Sequence, residues 1–147
     1  MKWSYIERAQ RILSREQGAV VKDWGGRLPV ALVYPNTYRV GMSSLGFQTI
    51  YRMLNERPDV VCERAFWQRR FAPDDPVVSI ETQRALAEFA VLAFSVSYEM
   101  DYAHLIAVLR QAGIPLRADE RDASWSAIVV GGPAVSANPL PIADFCD

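Results

Sequence analysis

Histidine occurs once in this 147-residue chain and cysteine twice. Cys62 and Cys146 stand far apart and form neither a CxxC nor a CxxxCxxC spacing. A structural zinc site, an iron–sulfur cluster and a disulfide framework are therefore not indicated, and the two thiols read as the reduced cysteines of a cytoplasmic protein. Excess charge of one sign is missing too: 16 Lys and Arg against 17 Asp and Glu leave a formal net charge of −1, with no basic block. Binding to nucleic acid by phosphate neutralisation is not indicated. No apolar run is long enough to span a bilayer, and the N-terminus lacks a signal-peptide pattern, so no membrane partner is expected. Internal repeats and low-complexity tracts are absent as well.

What is present is a globular composition, 50% hydrophobic and 22% charged, and a length suited to one domain with its own core. Ser4 and Glu7 have capping-box spacing, and Ile6, Ala9, Ile12 and Leu13 recur on one helical face, predicting a helix over residues 5–16 with Gly18 as its stop. The irregular stretch through Gly25-Gly26 follows. Residues 1–28 thus read as a helix and linker appended to an α/β domain over 29–147.

That domain begins with "VALVY", a continuous β-prone run as expected of a strand buried on both faces. Ser43-Ser44 offers an N-cap to a helix whose stripe is Leu45, Ile50, Met53 and Leu54. Strands are predicted near 29–34, 60–66, 91–97 and 126–131, the third reading as the most buried. "PDDPVVSIE" (73–81) reads as a loop leading to a short helix over 82–89. Asp101 is placed to cap a further helix with Leu105, Ile106, Val108 and Leu109 facing inward and Gly113 ending it. Alternating strands and helices predict a flavodoxin-like, Rossmann-like parallel three-layer sandwich. Such a sheet ordinarily has five strands, so the chain reads as truncated before the fifth. "AIVVGG" would then be an apolar edge, open to self-association unless residues 1–28 fold across it.

Ligands of open α/β sheets bind beyond the carboxyl ends of the strands, where strand order reverses. Three segments are expected there. The first is the loop after the first strand, with Asn36, Thr37, Tyr38, Gly41 and Ser43. The second carries Ser95, Ser97 and Tyr98, and the third Gly131, Gly132 and Pro133, whose glycines let a ligand approach the backbone. Each also has a structural reading: glycines that turn the chain, serines that fit a crowded sheet. His104, in the first turn of its helix, reads as a partly exposed structural histidine, and Glu99 and Asp101 as carboxylates favouring a helix start.

"ALVYPNTYRVGMSSLGFQTIY", "SIETQRALAEFAVLAFSVSYEMDY" and "VVGGPAVSANPLPIADFCD" resemble the N-terminal cobalamin-binding-like domain of radical S-adenosylmethionine proteins, and the resemblance extends over essentially the whole chain. It implies that the parent protein continues into a radical barrel carrying S-adenosylmethionine and a 4Fe-4S cluster, neither held by these 147 residues. Cobalamin domains of the base-off kind carry D-x-H-x-x-G after the first strand, the histidine ligating cobalt. Here the stretch is Asn36-Thr37-Tyr38-Arg39-Val40-Gly41. Glycine is retained while asparagine and tyrosine replace the aspartate and histidine, so no metal ligand is expected, His104 included. Ser95 and Ser97 would lie near the nucleotide tail, with Gly131-Gly132 lining its groove.

Two functions stay open at this point. One is a non-catalytic domain that positions cobalamin or substrate for the radical barrel of the same polypeptide. The other is a scaffold or docking module that has lost cobalamin. A phospho-receiver is disfavoured because Ser95-Val96-Ser97 lacks an aspartate, and the loop at 37–44 is a weak imitation of a flavin phosphate site.

Overall fold

A computed structural model describes residues 3–69 and 75–147. Four strands, β1 (Leu28–Tyr34), β2 (Val60–Phe66), β3 (Val91–Ser95) and β4 (Ala127–Gly131), form one parallel sheet in the order β2-β1-β3-β4. The helices are α1 (Trp3–Leu13), α2 (Tyr38–Gly41), α3 (Leu45–Glu56), α4 (Asp101–Gln111) and α5 (Pro133–Ala137). The chain winds outward in both directions from β1 and β3, so strand order reverses between them. The expected flavodoxin-like, Rossmann-like three-layer α/β arrangement is the one observed.

The period of two along each strand sorts the core into two layers. Leu32, Tyr34, Cys62 and Phe66 face α3, where Phe47 and Tyr51 meet them, and Ala9 of α1 joins that layer. Ala31, Val33, Leu92, Phe94 and Ile128 face the other way, onto Leu105, Val108 and Leu109 of α4. Each large apolar side chain so buried contributes about 1.5–3 kcal/mol.

Four sequence expectations change. Helix α1 spans Trp3–Leu13, so Ser4 lies inside it rather than at its cap; its last turn unwinds where Glu16 leaves to pair with Arg64. The buried face of α3 is Phe47, Tyr51 and Asn55, while Leu45, Ile50 and Met53 are exposed. Ser44 does cap this helix, its hydroxyl accepting from the Phe47 amide at 3.3 Å. No α-helix forms over 82–89. Thr82 instead donates its hydroxyl to the buried Glu63 carboxylate, Ser79 pairs with Arg84 across a tight turn, and only one 3-10 turn, Leu86–Glu88, follows. Residues 73 and 74 of the predicted loop lie outside the described residues.

The third strand is not the most buried. β2 is covered throughout, whereas β3 alternates buried and half-buried residues and β4 buried and open ones. The cause is the reach of α3, which covers β1 and β2 on its face of the sheet and stops short of β3 and β4. Residues 14–27 run along the opposite end, against α3 and β2. Tyr51 and Val20 exchange hydrogen bonds, Lys22 caps the carbonyls of Asn55, Arg57 and Val60 at the end of α3, and Trp24 donates to Glu63 at 2.7 Å. The β4 edge is met instead by Asp147, whose amide donates to the Ile128 carbonyl at 3.0 Å and whose carboxylate accepts from the Ile128 amide at 2.7 Å.

Candidate functional site

Where α3 ends its cover, a cavity of about 440 Å³ opens between that helix and the carboxyl halves of β3 and β4. One wall is α3, through its cap Ser44, Gly46 and Ile50; the floor is Leu32 and Ala93; the other wall runs from Ser95 and Ser97 to Gly131, Gly132 and Pro133. Three hydroxyls sit in a lining that is otherwise largely apolar, as in sites that bury an organic ligand and orient it by few polar contacts.

The two adjacent glycines differ in what they do. A Cβ built on Gly131 meets nothing within 4 Å, so this residue keeps the groove open. At Gly132, φ is +116° and a Cβ would lie 2.3 Å from the Val96 carbonyl oxygen. Gly132 is glycine because the backbone of Val96 crosses it: the Val96 amide donates to the Gly131 carbonyl at 2.8 Å, and the Ala134 amide to the Val96 carbonyl.

Of the residues picked from sequence, Ser95, Ser97, Gly131, Gly132 and Pro133 therefore share one cavity. The loop after β1 goes elsewhere. Asn36 accepts from the Thr37 amide through its side-chain oxygen and donates through Nδ2 to Asp101 Oδ1 at 2.8 Å. Thr37 is the cap position of α2 without using its hydroxyl. Tyr38 packs edge-on against Phe66 and donates its phenol to Glu16; burial and that carboxylate push its pKa up to about 12. Gly41 is buried where a Cβ would come within 2.5 Å of the Phe66 ring, so its glycine serves packing. Ser43 bonds back to the Val40 carbonyl, and Tyr98 stands exposed on the loop after β3. Among the described residues, no cluster of His, Cys, Asp and Glu could hold a metal ion.

Sequence reasoning missed a second polar centre. Arg64, on β2, is buried between Glu16 at 2.5 Å and Glu81 at 2.7 Å, and its guanidinium stacks over the Tyr51 ring. Glu81 also accepts from the Arg64 amide. Burial holds the Glu81 carboxyl above the ordinary carboxylate range against the pull of Arg64, and burial likewise raises the neighbouring Cys62 thiol to about 12. The cluster borders a cavity of about 390 Å³ between residues 16–20 and α3. Its signal was available: "CERAF" puts two charges in the middle of an apolar strand, and a buried charge calls for a partner.

No helix among the described residues is long and apolar enough to cross a membrane. Comparison with known proteins finds an uncharacterized protein of Methanocaldococcus jannaschii, 27% identical over 118 residues; the match takes in 80% of this chain and 22% of that protein. The chain therefore corresponds to less than a quarter of the relative's length. No solved structure matches. The family described as radical SAM proteins, N-terminal, is matched over residues 46–147, the stretch holding α3 from its second residue on, the β3–β4 wall of the groove and three of the four strands, and the chain belongs to that family.

Proposed function

We propose that this chain is a non-catalytic accessory domain that holds cobalamin for a radical SAM barrel elsewhere in the longer protein, with the nucleotide tail in the groove between α3 and β3–β4. The observation that carries this is the groove itself, with apolar walls, hydroxyls at Ser44, Ser95 and Ser97, and open space at Gly131. Such a lining suits an aromatic base on a ribose, apolar surface for the ring and hydroxyls for the sugar. The loop after β1 fits the cobalt end less well. Tyr38 has no imidazole to give, and its phenol is committed to Glu16. The groove therefore suits the tail of cobalamin, while this loop would offer its cobalt no imidazole. Bound cobalamin would supply a cobalt centre able to carry a methyl group, while this chain's residues bind and orient.

The committed Tyr38 also favours a second reading, in which the scaffold has kept its groove and docks the barrel or its substrate without cobalamin. Equilibrium dialysis with hydroxocobalamin separates the two. Wild type is expected to bind, and Gly131→Leu to bind at least tenfold more weakly, because a side chain there enters the groove while the β-strand backbone tolerates it. Tyr38→Phe should bind as wild type does. No binding to the wild-type chain, or equal binding by Gly131→Leu, would remove cobalamin from the groove.

A further inference from the structure

A net charge of −1 hides an uneven distribution. A separate open groove of about 740 Å³ runs between α1 and the loop that carries α2, and four arginines line it: Arg8, Arg11, Arg15 and Arg39. Two carboxylates share the lining, Glu7 and Glu16, and Glu16 is already neutralised by Arg64. None of these residues lines the cavity between α3 and β3–β4.

The four guanidinium groups differ from most other arginines of the chain. Arg27, Arg57, Arg64, Arg84, Arg117 and Arg121 each hold a carboxylate or a backbone carbonyl. Arg8, Arg11, Arg15 and Arg39 are exposed and have no partner among the described residues. Their arrangement is costly as well. Arg8 and Arg11 stand three positions apart on α1, and Arg15 follows four positions later in a turn, its amide bonded to the Ile12 carbonyl at 3.0 Å. Like charges at these spacings repel along a helix. The apolar side of α1, with Ala9, Ile12 and Leu13, is anchored on the core, which holds the arginine row at the groove. Ser4 and Thr37 add two hydroxyls, and that of Thr37 makes no cap bond.

The donor set selects the ligand. Each guanidinium presents five N–H donors and no acceptor, in a planar fork that fits oxyanions. The two oxygens of a carboxylate are too few for four such forks, whereas phosphate groups in a row supply enough. By the rise of a helix, the row from Arg8 to Arg15 extends about 10 Å, beyond the span of one phosphate. A nucleobase finds no platform here. The Tyr38 ring packs edge-on against Phe66, and Ile12 is the one aliphatic side chain of the described lining.

We propose that the groove between α1 and α2 is a binding site for consecutive phosphate groups, those of a polyphosphate or of a nucleic-acid backbone, held by Arg8, Arg11, Arg15 and Arg39. The site is independent of the cobalamin groove, and either assignment stands if the other fails.

Calorimetric titration with inorganic tripolyphosphate, and fluorescence anisotropy with a labelled oligouridylate strand, test the site and tell the two sources apart. At least one probe is expected to bind. Binding of tripolyphosphate alone identifies a small polyphosphate, a tighter strand identifies the backbone, and equal binding supports phosphate recognition whatever its carrier. Arg8→Gln combined with Arg11→Gln should weaken the bound probe at least tenfold, since glutamine keeps the helix and removes the charge. Arg110→Gln, which removes the same kind of charge from the exposed end of α4, should leave affinity unchanged. For the strand, four neutralised phosphates give a slope of log affinity against log salt of about −3, and the double variant should halve it. No binding of either probe, an equal loss in Arg110→Gln, or polyglutamate bound as tightly as the phosphates would overturn the assignment.

Discussion

Replacing Arg64 by methionine is expected to cost about 3–5 kcal/mol of folding stability, the loss typical of a buried ion pair deprived of one partner. The size follows from what is left behind. Glu81 is fully buried and Glu16 nearly so, and a methionine side chain offers neither carboxylate a donor, leaving Glu81 the residue-64 amide. The loss should depend on pH in a definite direction. Without the guanidinium, burial of Glu81 is opposed far less, and its folded-state pKa rises further above its unfolded value. Stability is then present below the ordinary glutamate range and lost as pH rises toward the folded pKa. Arg64→Met should therefore be least damaged in mildly acid buffer and most damaged at alkaline pH. Adding Glu16→Gln and Glu81→Gln to the same chain should recover much of the loss. Chemical denaturation at two pH values measures all of this. A cost below about 1 kcal/mol, the range of exposed ion pairs, would mean that the cluster is not a structural centre.

The second large effect lies at Gly132. Valine there meets two independent obstacles: a backbone at φ +116° and the Val96 carbonyl oxygen 2.3 Å from the new Cβ. Left-handed backbone costs a non-glycine residue about 1–2 kcal/mol, and forcing atoms into a packed site typically about 1–3 kcal/mol more. A loss of about 3 kcal/mol or more is expected in thermal or denaturant unfolding, large beside the whole stability of a small domain, about 5–15 kcal/mol. Gly131→Val, one residue earlier, should stay within about 1 kcal/mol of wild type because its side chain enters open space. Equal stability of the two variants would contradict the geometry. The contrast also corrects a natural choice of experiment: substitution at Gly132 reports on folding, and only substitution at Gly131 reports on the groove.

The strands were legible in the sequence because their signal is local. Runs such as "VALVY" and "SAIVVGG" are apolar and β-prone whatever they pair with, and their predicted limits agree with β1 and β4 to within a residue. Asp101 announced the start of α4, though it lies inside the helix with its carboxylate turned to Asn36 and His104. What escaped was non-local. Arg64 meets Glu81 across 17 positions and Glu16 across 48, and no periodicity encodes such a meeting. The turn at 79–84 escaped for a related reason. Thr82 and Ser79 are bound by Glu63, so a tertiary carboxylate overrides whatever helix the local sequence would form.

The candidate site was half legible by the same logic. Its glycine and serine wall follows from the rule that α/β sheets bind ligands beyond their carboxyl ends. Its α3 wall does not, because Ile50 looked like a core residue on an amphipathic stripe. The helix is rotated so that Phe47 and Tyr51 fill that role, leaving Ile50 for the groove. His104 reads from sequence as a partly exposed structural histidine, and its ring contacts with Pro35 and Trp67, distant in sequence, are again of the non-local kind that no periodicity encodes.

The central claim is that the groove between α3 and β3–β4 is the ligand site of this domain, and amide shift mapping by NMR tests it most directly. On addition of hydroxocobalamin, perturbations should concentrate at Ser44–Ile50, Ser95–Ser97 and Gly131–Ala134, with residues 16–20 and the Arg64 cluster unmoved. Perturbations confined to residues 16–20 and Tyr51, around the second cavity, or none anywhere at saturating cofactor, would contradict it.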